Sequence, residues 1–214
     1  MNKKDGYLFL SVFIVMVILT GAPLLLPEQL RMMSIVSGMF FPLMFTVEIL
    51  VITPLYFLFL REKEGFGVGN FNLKDFILYL SIILIIQFIL PKLFFEEETY
   101  DSHSETILPA ITFIFIQISY ILMAPVYEEI AIRGALFGSL TIFLKAKFPA
   151  TILSSLIFAV LHTQYSGYKP LIILFFVSLT LTAARVRSKG LLLPVILHAL
   201  MNCIIINKSY IFGS

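Results

Sequence analysis

An all-α polytopic membrane protein of about seven spanning helices is the fold this sequence predicts, and three observations predict it. Hydrophobic residues make up 59% of the 214 residues and charged residues only 13%, about half the charged share of a typical soluble domain. Mean hydropathy is +1.00. Apolar runs of spanning length recur along the chain with short polar breaks between them. Length and the lack of any repeat or low-complexity linker imply one transmembrane domain over residues 1–214.

The first run, 7–26, follows Lys3 and Lys4. That arrangement imitates a signal peptide, but the run is too long and no Ala-x-Ala site follows, so it reads as a retained first span. The second, 34–60, contains Pro42, Glu48 and Pro54, which predict a long, kinked helix. The third is 73–95. The fourth, 107–144, would run roughly 57 Å as one helix, well beyond a ~30 Å hydrocarbon core. Pro125 divides it. A kinked helix, or a span joined to an interfacial helix, is expected; a full reversal at Met123–Val126 would make eight spans, but that stretch lacks a polar turn. The remaining runs are 150–163, 170–186 and 190–207.

Charge supports seven spans. With the N-terminus in the cytoplasm, inner segments hold Lys3, Lys4, Arg61, Lys63, Lys74, Lys145, Lys147, Arg185, Arg187 and Lys189, and outer ones hold only Arg31, Lys92, Lys169 and Lys208. The acidic loop with Glu96, Glu97, Glu98, Asp101 and Glu105 then falls outside, and its His103 reads as solvated. Net charge is +2 with no basic tract, which excludes nucleic acid as a partner. The single cysteine, Cys203, excludes an intrachain disulfide and an all-cysteine metal site, and reads as a small buried hydrophobe.

Six polar side chains interrupt the apolar segments: Glu128, Glu129, Arg133, His162, His198 and Asn202. A charge in hydrocarbon costs roughly 3 kcal/mol or more, so such residues mark function by default. Glu129 and Arg133, four apart on a helix, face each other, and pairing is the least costly way to bury both. Glu128 points elsewhere and is free for proton transfer. Glu128 and His162 lie at similar depth, roughly 20–25 Å from the turn at Lys145–Pro149 at ~1.5 Å per residue. A carboxylate and an imidazole sharing a water can act as general base and proton shuttle. His198 and Asn202 share a helical face and suit an oxyanion hole. Pro194, one turn earlier, is expected to kink that helix and free a carbonyl. The plainer alternatives are a salt-bridged helix end for the first cluster, a satisfied core histidine for His162, and polar bonding between helices for His198 and Asn202. Gly134 and Gly138 read as a close-packing pair, and Phe158 as a packing residue that shapes the pocket.

In order and spacing these clusters resemble the CAAX-protease and bacteriocin-processing (CPBP, or Abi) family. The residues that carry the resemblance are EEIAIR at Glu128–Arg133, FAVLH at Phe158–His162 and HALMN at His198–Asn202, within a region from about Leu108 to Ile206. Ile132 departs from the aromatic many members place before Arg-Gly. The resemblance implies a membrane-embedded glutamate-type endopeptidase. Glu128 would activate water with help from His162, His198 and Asn202 would stabilise the oxyanion, and Glu129, Arg133 and Phe158 would support the site. Its substrate would be a membrane-associated or prenylated-type protein or peptide. Residues 107–207 would then be the catalytic core and 1–106 accessory spans. No cofactor is favoured, although Glu128, His162 and His198 are a plausible zinc set of two imidazoles and a carboxylate. A bacterial cytoplasmic (inner) membrane, with lipid and substrate as partners, is the expected setting. Charge places Glu128 and His162 nearer the outer face, whereas members acting on prenylated proteins work at the cytosolic one. The rival classes are a non-catalytic membrane partner, such as an immunity or signalling scaffold, and a proton-coupled transporter. Against the transporter, the motifs are confined to the C-terminal half and no repeat is visible.

Overall fold

The computed structural model describes residues 2–94, 109–165, 167–208 and 211. Within them the protein is all-helical, and no strand occurs among the described residues. Five helices are long and apolar enough to cross a membrane: α1 (Lys3–Leu25), α3 (Phe40–Leu60), α4 (Leu73–Phe94), α5 (Ala110–Leu144) and α7 (Tyr168–Ser188). Two shorter apolar helices, α6 (Lys147–Leu161) and α8 (Leu192–Ile206), complete the expected seven. A short exposed helix, α2 (Glu28–Val36), precedes α3. Large apolar side chains such as Leu50, Leu58, Ile77 and Leu78 point outward, as lipid-facing helices require. The acidic loop and His103 lie outside the described residues.

The second run departs from expectation. Residues 34–60 are not one helix, because Gly38 takes a left-handed φ of +72° and separates α2 from α3. The fourth run resolves in favour of one continuous helix, with no reversal at Met123–Val126. It contains wide turns with i→i+5 bonding at Ser119–Met123 and Glu129–Leu136. Similar turns close α3 at Tyr56–Leu60 and occupy Ile85–Ile89 of α4. Pro54, Pro91 and Pro125 each lie within a few residues of one of these turns. A proline removes one backbone donor and crowds the preceding turn, and an inserted residue is one way to relieve both. Pro194 does not act in this way. It is the third residue of α8, where its missing N–H has no helical acceptor to serve, so no kink follows.

Two apolar clusters hold the bundle. One joins α1, α3 and α5 through residues such as Phe9, Phe45, Ile52, Tyr127 and Ala131. The other joins α4, α7 and α8 through Ile83, Val177, Leu181 and Leu197. The Arg61–Asn72 break is less polar in role than in composition. It returns Phe66, fully buried, onto Phe9 at 4.7 Å. Gly134 and Gly138 make room for these two rings, so the close-packing reading holds, with aromatic rings as the occupants.

The segments read as inner gather at one end of the bundle. Lys63 pairs with Asp5 at 2.8 Å, Arg187 with Asp75 at 3.1 Å, and Tyr7 packs on Phe143. The α3–α4 loop also pairs with the α7–α8 turn through Asn70 N–H to Ser188 O (2.7 Å) and Leu191 N–H to Gly67 O (2.9 Å). There Gly69 and Gly190 pass so closely that a Cβ on either would overlap the other's backbone. Gly190→Ala is therefore expected to lower the midpoint of thermal unfolding by roughly 5–10 °C, an overpacking penalty, without changing helix content. Far-UV circular dichroism melts in detergent check this; an unchanged midpoint would show that the loop pairing is dispensable.

Candidate active site

The site is built on α5, α6, α7 and α8. Glu128 closes a regular stretch of α5, and Glu129 opens the wide turn that runs to Leu136. Glu129 and Arg133 are both fully buried, with Arg133 Nη1 3.0 Å from Glu129 Oε1. The pairing expected from their spacing is present. Arg133 has two further contacts. Its Nη2 donates to Ser178 Oγ on α7 at 3.0 Å, and its guanidinium lies 4.3 Å from the centre of the Phe158 ring on α6. A desolvated guanidinium over an aromatic face is worth about 2 kcal/mol. One buried cation thus ties α5 to α6 and α7, and Phe158 supports the charge as well as shaping the space.

His198 meets both acids. Its Nδ1 lies 2.8 Å from Glu129 Oε1, and its Nε2 lies 3.9 Å from Glu128 Oε2. His198 thus lies beside the Glu-Glu pair. With Nδ1–H donating to Glu129, Nε2 is the nitrogen presented to Glu128. Glu128 is the more open acid, its side chain 15% exposed against 0% for Glu129. Its Oε1 accepts from the Tyr127 hydroxyl at 3.3 Å, and its buried Oε2 has no hydrogen-bond partner in the protein.

His162 stands just past the last residue of α6, at the opposite end from Lys147. Its Nδ1 lies 2.8 Å from the Phe158 carbonyl, so Nδ1–H donates there and Nε2 is left as the free acceptor. Its ring packs on Phe158 at 4.5 Å and stacks with Tyr165 at 6.3 Å. The imidazole within 4 Å of Glu128 is that of His198, not His162. His162 reaches the site through Phe158, whose ring also lies 6.3 Å from that of His198.

Asn202 is bound differently from the expectation. Its Nδ2 donates to the Tyr120 carbonyl at 2.8 Å. That carbonyl lies in the Ser119–Met123 turn, where the Ala124 N–H goes to Ser119 and Pro125 has no N–H to give. Asn202 therefore satisfies a carbonyl that Pro125 leaves without a donor, and joins α8 to α5. One carboxamide N–H remains for any other partner.

Among the described residues no group of three His, Cys, Asp or Glu side chains is arranged to hold a metal ion. Glu128 and His198 are adjacent, but His162 does not join them, and Glu129 engages the other nitrogen of His198.

Sequence reasoning missed Ser178 and Tyr127, and it noted Glu48 without asking what it meets. Ser178 carries no signal, being one serine on an apolar helix. Tyr127 directly precedes the Glu-Glu pair. Glu48 was an acid inside an apolar run, which is signal enough.

Comparison with known proteins agrees with the motif reading. Residues 110–204 match the family model described as type II CAAX prenyl endopeptidase Rce1-like. The chain is similar to an uncharacterized 24.3 kDa protein of Escherichia coli, 37% identical over 78 residues, which covers 36% of each chain. It is also similar to the UPF0177 protein YaiH of Lactococcus lactis subsp. lactis (strain IL1403), 34% identical over 148 residues, covering 63% of this chain and 58% of that one. The matched stretches thus span about a third and somewhat over half of these relatives' lengths. No solved structure matches at a significant level. The part of the chain that carries all three motifs, residues 110–204, is thus similar to the Rce1-like CAAX prenyl endopeptidases.

Proposed function

We propose that the protein is a membrane-embedded endopeptidase that hydrolyses a peptide bond with water activated by Glu128. The observation that carries this reading is the asymmetry of the two acids. Glu129 is neutralised by Arg133 and fully buried, whereas Glu128 is partly open and has an unpartnered oxygen beside an imidazole. One acid holds the site together and the other is left for chemistry.

Glu128 Oε2 takes a proton from water as the water oxygen attacks the scissile carbonyl. The oxyanion accepts from the remaining N–H of Asn202 and from His198 Nε2–H, the ring entering the reaction already protonated on both nitrogens between the Glu128 and Glu129 carboxylates. Collapse of the tetrahedral intermediate breaks the C–N bond, and the proton held by Glu128 passes to the leaving amine, with His162 as shuttle. No step requires a metal. The substrate class is a membrane-associated protein or peptide, with a prenylated C-terminal sequence as the first probe because the matched family acts on such ends. The cytoplasmic membrane of a bacterium is the proposed setting.

The test is cleavage of a farnesylated CAAX-type peptide by purified protein in lipid nanodiscs, alongside proteomic comparison of membranes from wild-type and Glu128→Ala cells. Products that appear only with wild type support the reading. Equal processing by both sinks it, and leaves the motifs as helix-joining elements of a non-catalytic membrane partner.

A further inference from the structure

A third carboxyl group lies beside the site, and it comes from outside the family-matched region. Glu48 sits on α3, fully buried in a span with mean hydropathy 2.2. Its Oε1 lies 2.5 Å from Thr20 Oγ1 on α1, and its Oε2 is buried with no hydrogen-bond partner. The Thr20 hydroxyl also lies 3.0 Å from the Met16 carbonyl, which can only accept. On α5 the hydroxyl of Tyr127, itself buried among Phe45 and the α1–α3–α5 core, faces both Glu48 and Glu128. The ionisable groups facing Glu48 are thus Tyr127 and Glu128, both on α5, and α1 contributes only the neutral Thr20. None is a cation. This differs from Glu129, which has Arg133.

We propose that Glu48 is a positioning residue for Glu128, acting as an acid that leaves the single Tyr127 proton directed at Glu128 Oε1. The inference rests on the endopeptidase reading for its functional consequence, though not for its geometry. A fully buried carboxylate without a cation is costly, so Glu48 keeps its proton. That proton goes to Thr20 Oγ1, and the Thr20 proton goes to the Met16 carbonyl, which serves every hydroxyl of the chain once. Tyr127 has one proton to give. Were Glu48 ionised, two carboxylates would compete for it. With Glu48 neutral, Tyr127 donates to Glu128 alone, fixes which oxygen is engaged, and leaves Oε2 turned toward His198 and the reacting water. The N-terminal spans, which the motifs leave without a role, thereby set the orientation of the catalytic acid.

Infrared spectroscopy of the solubilised full-length protein tests the hydrogen-bond chain without any substrate. Wild type must show a carboxylic-acid C=O band that Glu48→Gln removes, and the carboxylate band that Glu128→Gln removes must shift in Tyr127→Phe and in Glu48→Ala. Kinetics on the farnesylated peptide then test its consequence. Glu48→Ala and Tyr127→Phe are each expected to lower kcat about tenfold to a hundredfold with KM unchanged, the loss typical of outer partners of a reacting group. Glu48→Gln, whose amide can donate as the acid does, should retain kcat within a few-fold. The lack of an acid band that Glu48→Gln removes, or a Glu128 carboxylate band indifferent to Tyr127→Phe, overturns the proposal. So does Glu48→Gln as impaired as Glu48→Ala, which would make the position a packing site. If wild type itself leaves the peptide intact, that failure belongs to the endopeptidase reading, and the infrared shifts alone decide the Glu48 to Glu128 connection.

Discussion

Arg133→Ala is expected to destabilise the protein by about 3–5 kcal/mol, the cost of breaking a buried ion pair by removing one partner. The change leaves Glu129 fully buried with only His198 against it, deprives Ser178 of its donor and uncovers the Phe158 face. Native proteins hold roughly 5–15 kcal/mol in reserve, so most of the margin goes. Arg133→Lys should recover little. A lysine is a point charge on a flexible stem, and it cannot contact Glu129 and Ser178 while lying flat on Phe158. The double substitution Arg133→Leu with Glu129→Gln removes both charges together and should recover much of the loss, because an apolar replacement of a buried pair is often near neutral. The chain contains no tryptophan, so unfolding is best followed by far-UV circular dichroism in detergent. If the single and double variants melt together with wild type, the pair is not what holds α5 to α6 and α7.

That prediction draws on contacts of two kinds, and only one kind could be read from the sequence. Glu129 and Arg133 are four residues apart on one helix, so their meeting follows from local geometry. A wide turn keeps residues four apart nearly in line, so even the irregular winding of Glu129–Leu136 leaves the pairing intact. The helices themselves were legible because each apolar run must satisfy its own backbone in lipid, which leaves few alternatives. The contacts of Arg133 to Ser178 and of His198 to Glu129 span 45 and 69 residues, and their register depends on how separate helices slide and turn against one another. Equal depth from a shared turn therefore suggested that Glu128 meets His162, while the packed helices bring His198 to it. Asn202 illustrates the same limit. Its place on the His198 face was predictable, but its partner is a carbonyl set free by Pro125 on another helix. The wide turn at Ser119–Met123 that exposes this carbonyl has no signature beyond the proline itself.

His198→Ala is expected to lower kcat/KM for the farnesylated peptide by about 10²–10³-fold, the loss seen when one oxyanion donor is removed. The reason is positional. His198 is the imidazole that reaches Glu128, at 3.9 Å through Nε2, while its Nδ1 is anchored by Glu129 at 2.8 Å. The anchor fixes the ring, so that Nε2 can act only toward Glu128 and the substrate carbonyl. Loss of the ring leaves the Glu129–Arg133 pair in place, and the variant should fold and insert as wild type does, which separates this effect from that of Arg133→Ala. The comparison with His162 is then informative. His162 has its Nδ1 on the Phe158 carbonyl and lies further from Glu128, so as a shuttle it should contribute within the 10²–10⁴-fold range of general acid–base groups and act on proton delivery. A solvent isotope effect that changes in His162→Ala but not in His198→Ala would match these two roles. A His198→Ala protein that cleaves within a few-fold of wild type would remove His198 from the chemistry and leave it as a partner of Glu129 alone.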